Sequence, residues 1–545
     1  AAPRSYRRAM TELSPRDATA ELTGHGHMGQ RLTRASSELE AETLRTLSHS
    51  LHKLAPEIDA RAIDLAARLP NASLRALQRA GFFALTIPQE DGGLGLSLKA
   101  TCQVIERLAQ LDRSVAVTVG LHCGLGTQAL VQYGSEQQRR ELSPKLASGE
   151  WIGAFAATEA GAGSDLTAVR TTGRSAPGGM RIRGSKSYVT NGAIAGCYTV
   201  LVRTPEHGGP HAQTRVCIPR EAAGVHVGKE EDKLGLRGSS TVALDFDDVF
   251  VPDADIIGVA GQGARYTASL LALGRTLMAA GCIGTARTAL AATVTHVAAR
   301  RQFRRTLAEF PLVQSACADM AANVYAMESL LRLASDAAWQ EPQRQFLSAL
   351  AKVFCSESTY QICDRAIQLH GALGFLEPTG LPLLLRDCRI TRIFEGANDV
   401  LLLHAGTHAL ARDWDGALPL AAIDDRKHRL QHARRAFEGV LRAREAVRSS
   451  IRQRYGVRAV ERQDVLAALG HAETCQMAAY ATLVRANRDA DVTRFELAER
   501  AGLGLIEEAE QTLSMVFDPR ASVRNEQARR ITQELLSPLR TERTQ

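Results

Sequence analysis

The 545-residue sequence lacks an uninterrupted apolar run of the ~18 residues a transmembrane helix needs. Its most apolar stretches, Ile182 to Val202 and Leu270 to Ala291, are broken by Arg, Lys or Gly, so no membrane-spanning helix is expected. It also lacks CxxC pairs and the ligand spacing of a zinc site, although ten cysteines are present. Cys102, Cys123, Cys282, Cys317, Cys355 and Cys363 fall inside apolar periodic segments, which predicts reduced, buried thiols in a reducing compartment, with no disulfide framework and no metal centre. No short tandem repeat occurs. The imbalance of charge is small too: a net +7 is modest for this length, and no nucleic-acid partner is expected, although the C-terminal third holds the basic excess. With 45% hydrophobic and 23% charged residues the chain has the balance of a globular protein, and its length exceeds one ordinary core, so several domains are expected.

Periodicity divides the chain and predicts a mainly α protein with a central β domain. Residues 1–35, with Arg4, Arg7, Arg8 and a Gly/His stretch from Gly24 to Met28, read as a disordered tail, either the remnant of an import sequence or a trimmed end. Over 36–151 apolar residues recur at helical spacing, as in Ile58, Ala62, Leu65, Ala66 and Leu69, with breaks at Pro88 and Asp91-Gly92-Gly93. Over 152–261 the pattern becomes short alternating runs such as Met180-Arg181-Ile182-Arg183 and Val242-Ala243-Leu244-Asp245-Phe246, the mark of a β domain. Helical periodicity returns over 262–412, suited to a four-helix bundle. Past Trp414-Asp415-Gly416 and Pro419, residues 413–545 read as an additional helical domain. There, over 426–455, an apolar stripe of Leu430, Ala433, Phe437, Val440, Val447 and Ile451, interrupted by Arg444, is crowded by Arg429, Arg434, Arg435, Arg442, Arg448, Arg452 and Arg454. Such a helix either lies on an anionic membrane surface or packs on its own protein with Arg facing solvent.

The most informative stretch is Arg392-Ile393-Phe394-Glu395-Gly396-Ala397-Asn398-Asp399, which sets one carboxylate between an aromatic residue and a glycine turn. A carboxylate in an apolar pocket loses water, its pKa rises toward neutrality, and it becomes a stronger base toward a weakly acidic C–H in the same dry space. Far upstream stand Phe155-Ala156-Ala157-Thr158-Glu159-Ala160-Gly161-Ala162-Gly163-Ser164-Asp165 and Gly184-Ser185-Lys186-Ser187-Tyr188-Val189-Thr190-Asn191-Gly192. With Lys145 to Glu150, Glu231 to Ser239 and Gln368 to Phe375, these ordered segments make residues 50–410 resemble the acyl-CoA dehydrogenase family. The extra C-terminal region makes the chain most similar to the very-long-chain branch.

The resemblance implies FAD as cofactor and a long-chain acyl-CoA substrate desaturated to trans-2-enoyl-CoA in fatty acid β-oxidation. It makes Glu395 the α-proton base and a main-chain donor to the thioester oxygen, with the β-hydrogen leaving as hydride to flavin N5. Phe155, Thr158, Gly163, Ser164, Tyr188 and Thr190 would line the flavin and its phosphates, Tyr188 standing where many relatives have Trp. Arg300, Gln302 and Phe303 match a segment reaching the adenine side of FAD across a subunit interface, and relatives usually have Gly where Arg304 stands. Gln368, Gly371, Ala397 and Asp399 would also face the cofactor, Ala372 replacing a second glycine. Ser164, Arg275, Phe394 and Gly396 would bind the acyl-CoA, with Ala116 and Gly120 leaving room for a long acyl chain. A homodimer, electron transfer to an electron-transfer flavoprotein, and a place on the matrix side of the mitochondrial inner membrane in a eukaryote, or in the cytoplasm or associated with the inner membrane in a bacterium, belong to the same implication. The fold also suits an oxygen-using acyl-CoA oxidase, or a respiratory-complex assembly protein that keeps the core.

Overall fold

The computed structural model describes residues 29–209, 212–411, 423, 428–487, 492–517 and 527–533. It divides into two compact units, 1–397 and 398–545.

The first unit opens with helices α1 (Gly29–Leu54), α2 (Ala60–Ala66), α3 (Asn71–Arg79), α4 (Leu98–Leu111), α5 (Arg113–Leu121), α6 (Gln128–Tyr133) and α7 (Glu136–Ser148). Helix α1 begins inside the stretch expected to be a tail, so 29–35 are helical; residues 1–28 lie outside the described residues. Local chemistry sets the boundaries. Ser97 and Asp112 cap α4 and α5 by accepting from Ala100 and Val115 N–H, and Ser135 with Gln138 forms a capping box on α7. Between α5 and α6 a single π turn, His122–Gly126, is anchored by His122, whose ring accepts from Gly153 N–H and meets Phe83 O at 3.0 Å.

The β domain is an eight-stranded sheet of β1 (Gly153–Ala156), β2 (Thr172–Ala176), β3 (Gly179–Thr190), β4 (Cys197–Arg203), β5 (Gln213–Pro219), β6 (Val225–Glu230), β7 (Thr241–Pro252) and β8 (Ile256–Ile257). The order is β6-β7-β3-β2-β4-β5-β8, with β1 parallel to β4. Alternation along β3 and β7 buries Met180, Ile182, Val189, Val242, Leu244 and Phe246 in one core. The β3–β7 pairing is irregular between Lys186 and Val189, which puts Tyr188 at φ +56°.

Helix α8 (Gly263–Ala299) leads to a small hairpin, β9 (Arg301–Gln302) and β10 (Arg305–Thr306), then α9 (Pro311–Ala334), α10 (Gln343–His370) and α11 (Leu381–Arg389). Small residues let α8 pack closely: a Cβ at Gly281 would collide with Arg113 of α5, and one at Gly284 with the Glu106 carbonyl of α4. By length and composition, Arg113–Tyr133 and Gly263–Ala299 do meet the requirements for crossing a membrane, contrary to the sequence expectation. Their apolar windows are 78% and 72% buried inside the protein, which marks them as core helices. Nine of the ten cysteines are buried, Cys317 is half-buried, and all are free thiols.

The second unit holds α12 (Asn398–Ala411), α13 (His428–Tyr455), α14 (Gln463–Ala486) and α15 (Val492–Met515). Its boundary precedes α12, whereas the sequence division fell at 412/413. The reason is close helix packing: a Cβ at Gly406 of α12 would strike the Leu466 carbonyl, and one at Gly470 of α14 would strike the Leu402 carbonyl. The stripe on α13 is buried at Leu430, Ala433, Phe437, Val440 and Ile451. Arg444 and Arg448 also turn inward, Arg444 toward Glu473 at 3.3 Å. The apolar face that would enter a bilayer surface is therefore occupied by the unit's own packing, and Arg435, Arg442, Arg452 and Arg454 are exposed on α13.

Candidate active site

Helix α11 runs into a 3₁₀ turn, Ile390–Arg392, and the carbonyl of Ile390 accepts from Ile393 and Phe394 N–H to fold the chain back on itself. Glu395 then adopts φ +60° and Gly396 φ +104°. A left-handed glutamate costs about 1 kcal/mol and persists only where the surroundings enforce it. Two cations do so. Arg275 of α8 donates from Nε to the Glu395 carbonyl at 2.9 Å, and Lys352 of α10 donates from Nζ to the Gly396 carbonyl at 2.8 Å. Arg392, bonded to Glu357 at 2.9 Å, fixes the start of the turn to the same α10.

The cations hold backbone carbonyls, and one oxygen of the carboxylate is left without a hydrogen bond. Glu395 Oε2 is sealed from solvent with no hydrogen-bond partner. It lies over Gly274 of α8, where an added Cβ would stand 2.6 Å from it and 3.1 Å from Leu125 Cγ of the π turn. Burial pushes the Glu395 carboxyl up to about 7, and Arg275 and Lys352 moderate the rise. The raised pKa has a physical source here, loss of water at a partnerless oxygen. Helix α5 leads into this region through the π turn. Ala116 and Gly120 are buried on it one turn apart, and a Cβ at Gly120 would meet Ile105 at an ordinary 3.6 Å.

A second cluster forms where β1 leaves the sheet. The buried Glu159 carboxylate accepts from Arg170 N–H at 2.7 Å, Thr171 N–H at 3.0 Å and Lys186 Nζ at 2.7 Å, while Ser187 N–H donates to the Thr158 carbonyl at 2.9 Å. Burial opposes ionisation of Glu159, but these donors outweigh it and hold the carboxyl below its ordinary range. The loop is thus pinned at both ends, and Gly161, Gly163, Ser164 and Asp165 are exposed between them. Neither glycine has positive φ, and a Cβ on either would meet nothing within 4 Å. The protein's own packing does not require glycine at these positions, and its presence there leaves the backbone open to close approach. Beside the loop, Thr158 and Thr190 are half-buried and the Tyr188 ring is 67% exposed, a flat face open to a planar ligand. Phe155 is committed to packing, its ring lying 4.5 Å from the buried Arg215 guanidinium.

The third cluster joins the ends of α8 and α10. His296 and His370 stack at 4.2 Å, bringing Arg300 together with Gln368 and Gly371. Arg300, Gln302, Phe303, Gln368 and Gly371 are all exposed. Gly371 needs its glycine, at φ +61°, whereas Ala372 is at ordinary φ and is accommodated without strain. Phe303 and Arg304 both take positive φ in the hairpin turn, at +50° and +69°. Arg300 directly follows the unbroken α8, 25 residues past Arg275, which puts this cluster about 37 Å from the Glu395 turn. Of the remaining predicted residues, Phe394, Gly396 and Ala397 are half-buried in the base turn, and Asp399 is exposed at the start of α12 in the second unit.

Sequence reasoning missed Gly274, Lys352 and the Glu159–Lys186 pair. Lys352 had a signal, as the one cation in the apolar run from Phe346 to Phe354. The pair had none, since 27 residues separate its members. A surface cavity of about 370 Å³ lined by Thr172, Arg174, Arg181, Arg183 and Asp248 contains none of these site residues.

Comparison with known proteins places this geometry in a family. Residues 39–150, 154–249 and 261–410 match the N-terminal, middle and C-terminal domains of acyl-CoA dehydrogenase. The mouse mitochondrial very long-chain specific acyl-CoA dehydrogenase is 34% identical over 378 residues, 67% of this chain and 57% of its own length, so the match spans little more than half of that relative. A "Probable acyl-CoA dehydrogenase" of Mycobacterium leprae is 33% identical over 371 residues, 68% of this chain and 94% of its own. The crystal structure of an acyl-CoA dehydrogenase complexed with FAD from Bacillus anthracis superposes with a TM-score of 0.74 at 25% identity, covering 88% of this chain and 87% of the other. Three domain matches in sequence order, the relatives and the open glycine loop beside Tyr188 agree: the chain belongs to the acyl-CoA dehydrogenase family, and its cofactor is FAD.

Proposed function

We propose that this protein desaturates long-chain acyl-CoA thioesters between the α and β carbons, with Glu395 removing the α-proton. The observation that carries the reading is the sealed, partnerless Oε2 of Glu395, whose pKa of about 7 matches the task of a base at neutral pH. Arg275 and Lys352 hold the turn without pairing directly with the carboxylate oxygen, so the base is fixed in place and still reactive. The main-chain N–H of Glu395 donates to the thioester oxygen, where negative charge develops as the proton leaves. Exclusion of water strengthens that hydrogen bond and weakens solvation of the base together. FAD, when bound beside Tyr188, Thr158 and Thr190, supplies the two-electron acceptor.

Small side chains at Ala116 and Gly120, on the helix that leads to the base, support a deep acyl slot, each further methylene buried there contributing about 0.8 kcal/mol. The separation of about 37 Å along α8 between Arg275 and Arg300 supports a dimer in which the third cluster serves the cofactor of the other subunit. Electrons then pass to an electron-transfer flavoprotein. Steady-state kcat/KM measured from butyryl-CoA to stearoyl-CoA tests the substrate class. A rise toward palmitoyl-CoA and longer chains is expected, and a maximum at butyryl-CoA overturns the long-chain assignment.

A further inference from the structure

We infer that the second unit carries a zinc-type metal site built from His471, Cys475 and Glu508. His471 and Cys475 are one turn apart on α14, and Glu508 faces them from α15. His471 Nε2 lies 2.9 Å from Glu508 Oε1 and 3.7 Å from Cys475 Sγ, and all three ligand atoms fall within 4.8 Å of one another. One tetrahedral zinc with bonds of about 2.0 Å to N and O and about 2.3 Å to S would set these atoms roughly 3.3 Å (N···O) and 3.5 Å (N···S) apart. The first two separations therefore need adjustment by only a few tenths of an ångström. The freedom to adjust is present: Glu508 and His471 side chains are 53% and 39% exposed, while Cys475 is buried behind them.

The donor set, one imidazole, one thiolate and one carboxylate with a position left to water, suits zinc or another borderline divalent cation rather than calcium or magnesium. Burial and the facing Glu508 hold the Cys475 thiol protonated, so coordination exchanges that proton for the metal: the S–H bond breaks, an S–metal bond forms, and one proton leaves to solvent. The position in the fold gives the ion a role. Leu483 of α14 packs against Gly502 of α15, and His471 lies opposite Glu508, so the two helices run antiparallel, with the chain joining them on the Ala486–Val492 side. A metal at 471, 475 and 508 ties the helices together toward their other ends.

The test uses the full-length, FAD-loaded protein, reduced and freed of metal by chelator, titrated with cobalt(II) as a spectroscopic probe and then with zinc. Expected are one cobalt per chain, a thiolate-to-cobalt band, d–d bands to the red of the flavin absorption, and loss of all of these on adding zinc. Glu508→Gln should weaken binding at least about tenfold, and His471→Gln and Cys475→Ala should abolish the signal. The first two substitutions alter half-exposed side chains, and an unchanged urea unfolding transition of the helical circular-dichroism signal verifies that the second unit is folded. Absence of the thiolate band in the wild type, or an undiminished signal in His471→Gln, overturns the proposal and leaves His471 and Glu508 as a hydrogen-bonded pair.

Discussion

Replacing Glu395 by Gln should stabilise the protein by an amount that grows with pH. The folded carboxyl titrates at about 7 against an ordinary value of 4.5, a difference of 2.5 pH units, worth about 3 kcal/mol. The sign follows from proton linkage. The folded state holds the proton more tightly than the unfolded chain, so stability from this group is complete below pH 4.5 and is lost as pH rises through 7. Wild type therefore carries a penalty that the uncharged glutamine does not. Urea unfolding of both proteins, with FAD in excess, should show a gap of about 1 kcal/mol near pH 5 widening to about 3 kcal/mol above pH 7.5. Any cost of seating the glutamine amide is independent of pH and leaves the slope intact. A gap that stays constant from pH 5 to 8 would refute the reasoning, because it would mean that Glu395 titrates like a solvated carboxylate.

Gly274→Ala should move the carboxylate, since the new Cβ would lie 2.6 Å from Oε2; a displacement approaching 1 Å predicts about a hundredfold loss of kcat/KM with FAD content unchanged, and full activity would contradict the placement. Lys352→Met removes a positive charge that holds the Glu395 pKa down, so the rising limb of the kcat/KM–pH profile should shift to higher pH; an unshifted profile counts against the two-cation turn. Arg304→Gly should raise the thermal midpoint, because glycine relieves about 1 kcal/mol at φ +69°. Glu473→Gln removes the carboxylate that faces the buried Arg444 guanidinium at 3.3 Å and should destabilise the second unit by about 3 kcal/mol, read by urea unfolding.

Much of this was legible before any coordinates. The change from helical to alternating periodicity near Ile152 and back near Tyr266 marks real elements, because each pattern reports one buried face. Glu395 could be singled out because a carboxylate next to Phe394 and Gly396 is a local anomaly. Lys352 and Gly274 act through atoms far away in sequence, on carbonyls and a carboxylate that no local pattern reveals. The sequence reads Arg448 as part of the basic face and Arg444 as a break in the stripe, whereas both turn inward, for a similar reason. Their i, i+4 spacing continues the stripe from Val440, but the partner that lets Arg444 turn inward, Glu473, belongs to another helix. The His471–Cys475–Glu508 cluster has no zinc-like spacing in the sequence because its third member is 33 positions beyond Cys475.

The central claim is tested most directly by mixing palmitoyl-CoA with the oxidised holoenzyme under anaerobic conditions and following the visible flavin spectrum. The account predicts rapid bleaching in wild type and none in Glu395→Gln at equal FAD content. A wild-type spectrum that stays oxidised with every acyl-CoA chain length, or a variant that bleaches as fast as wild type, would contradict it.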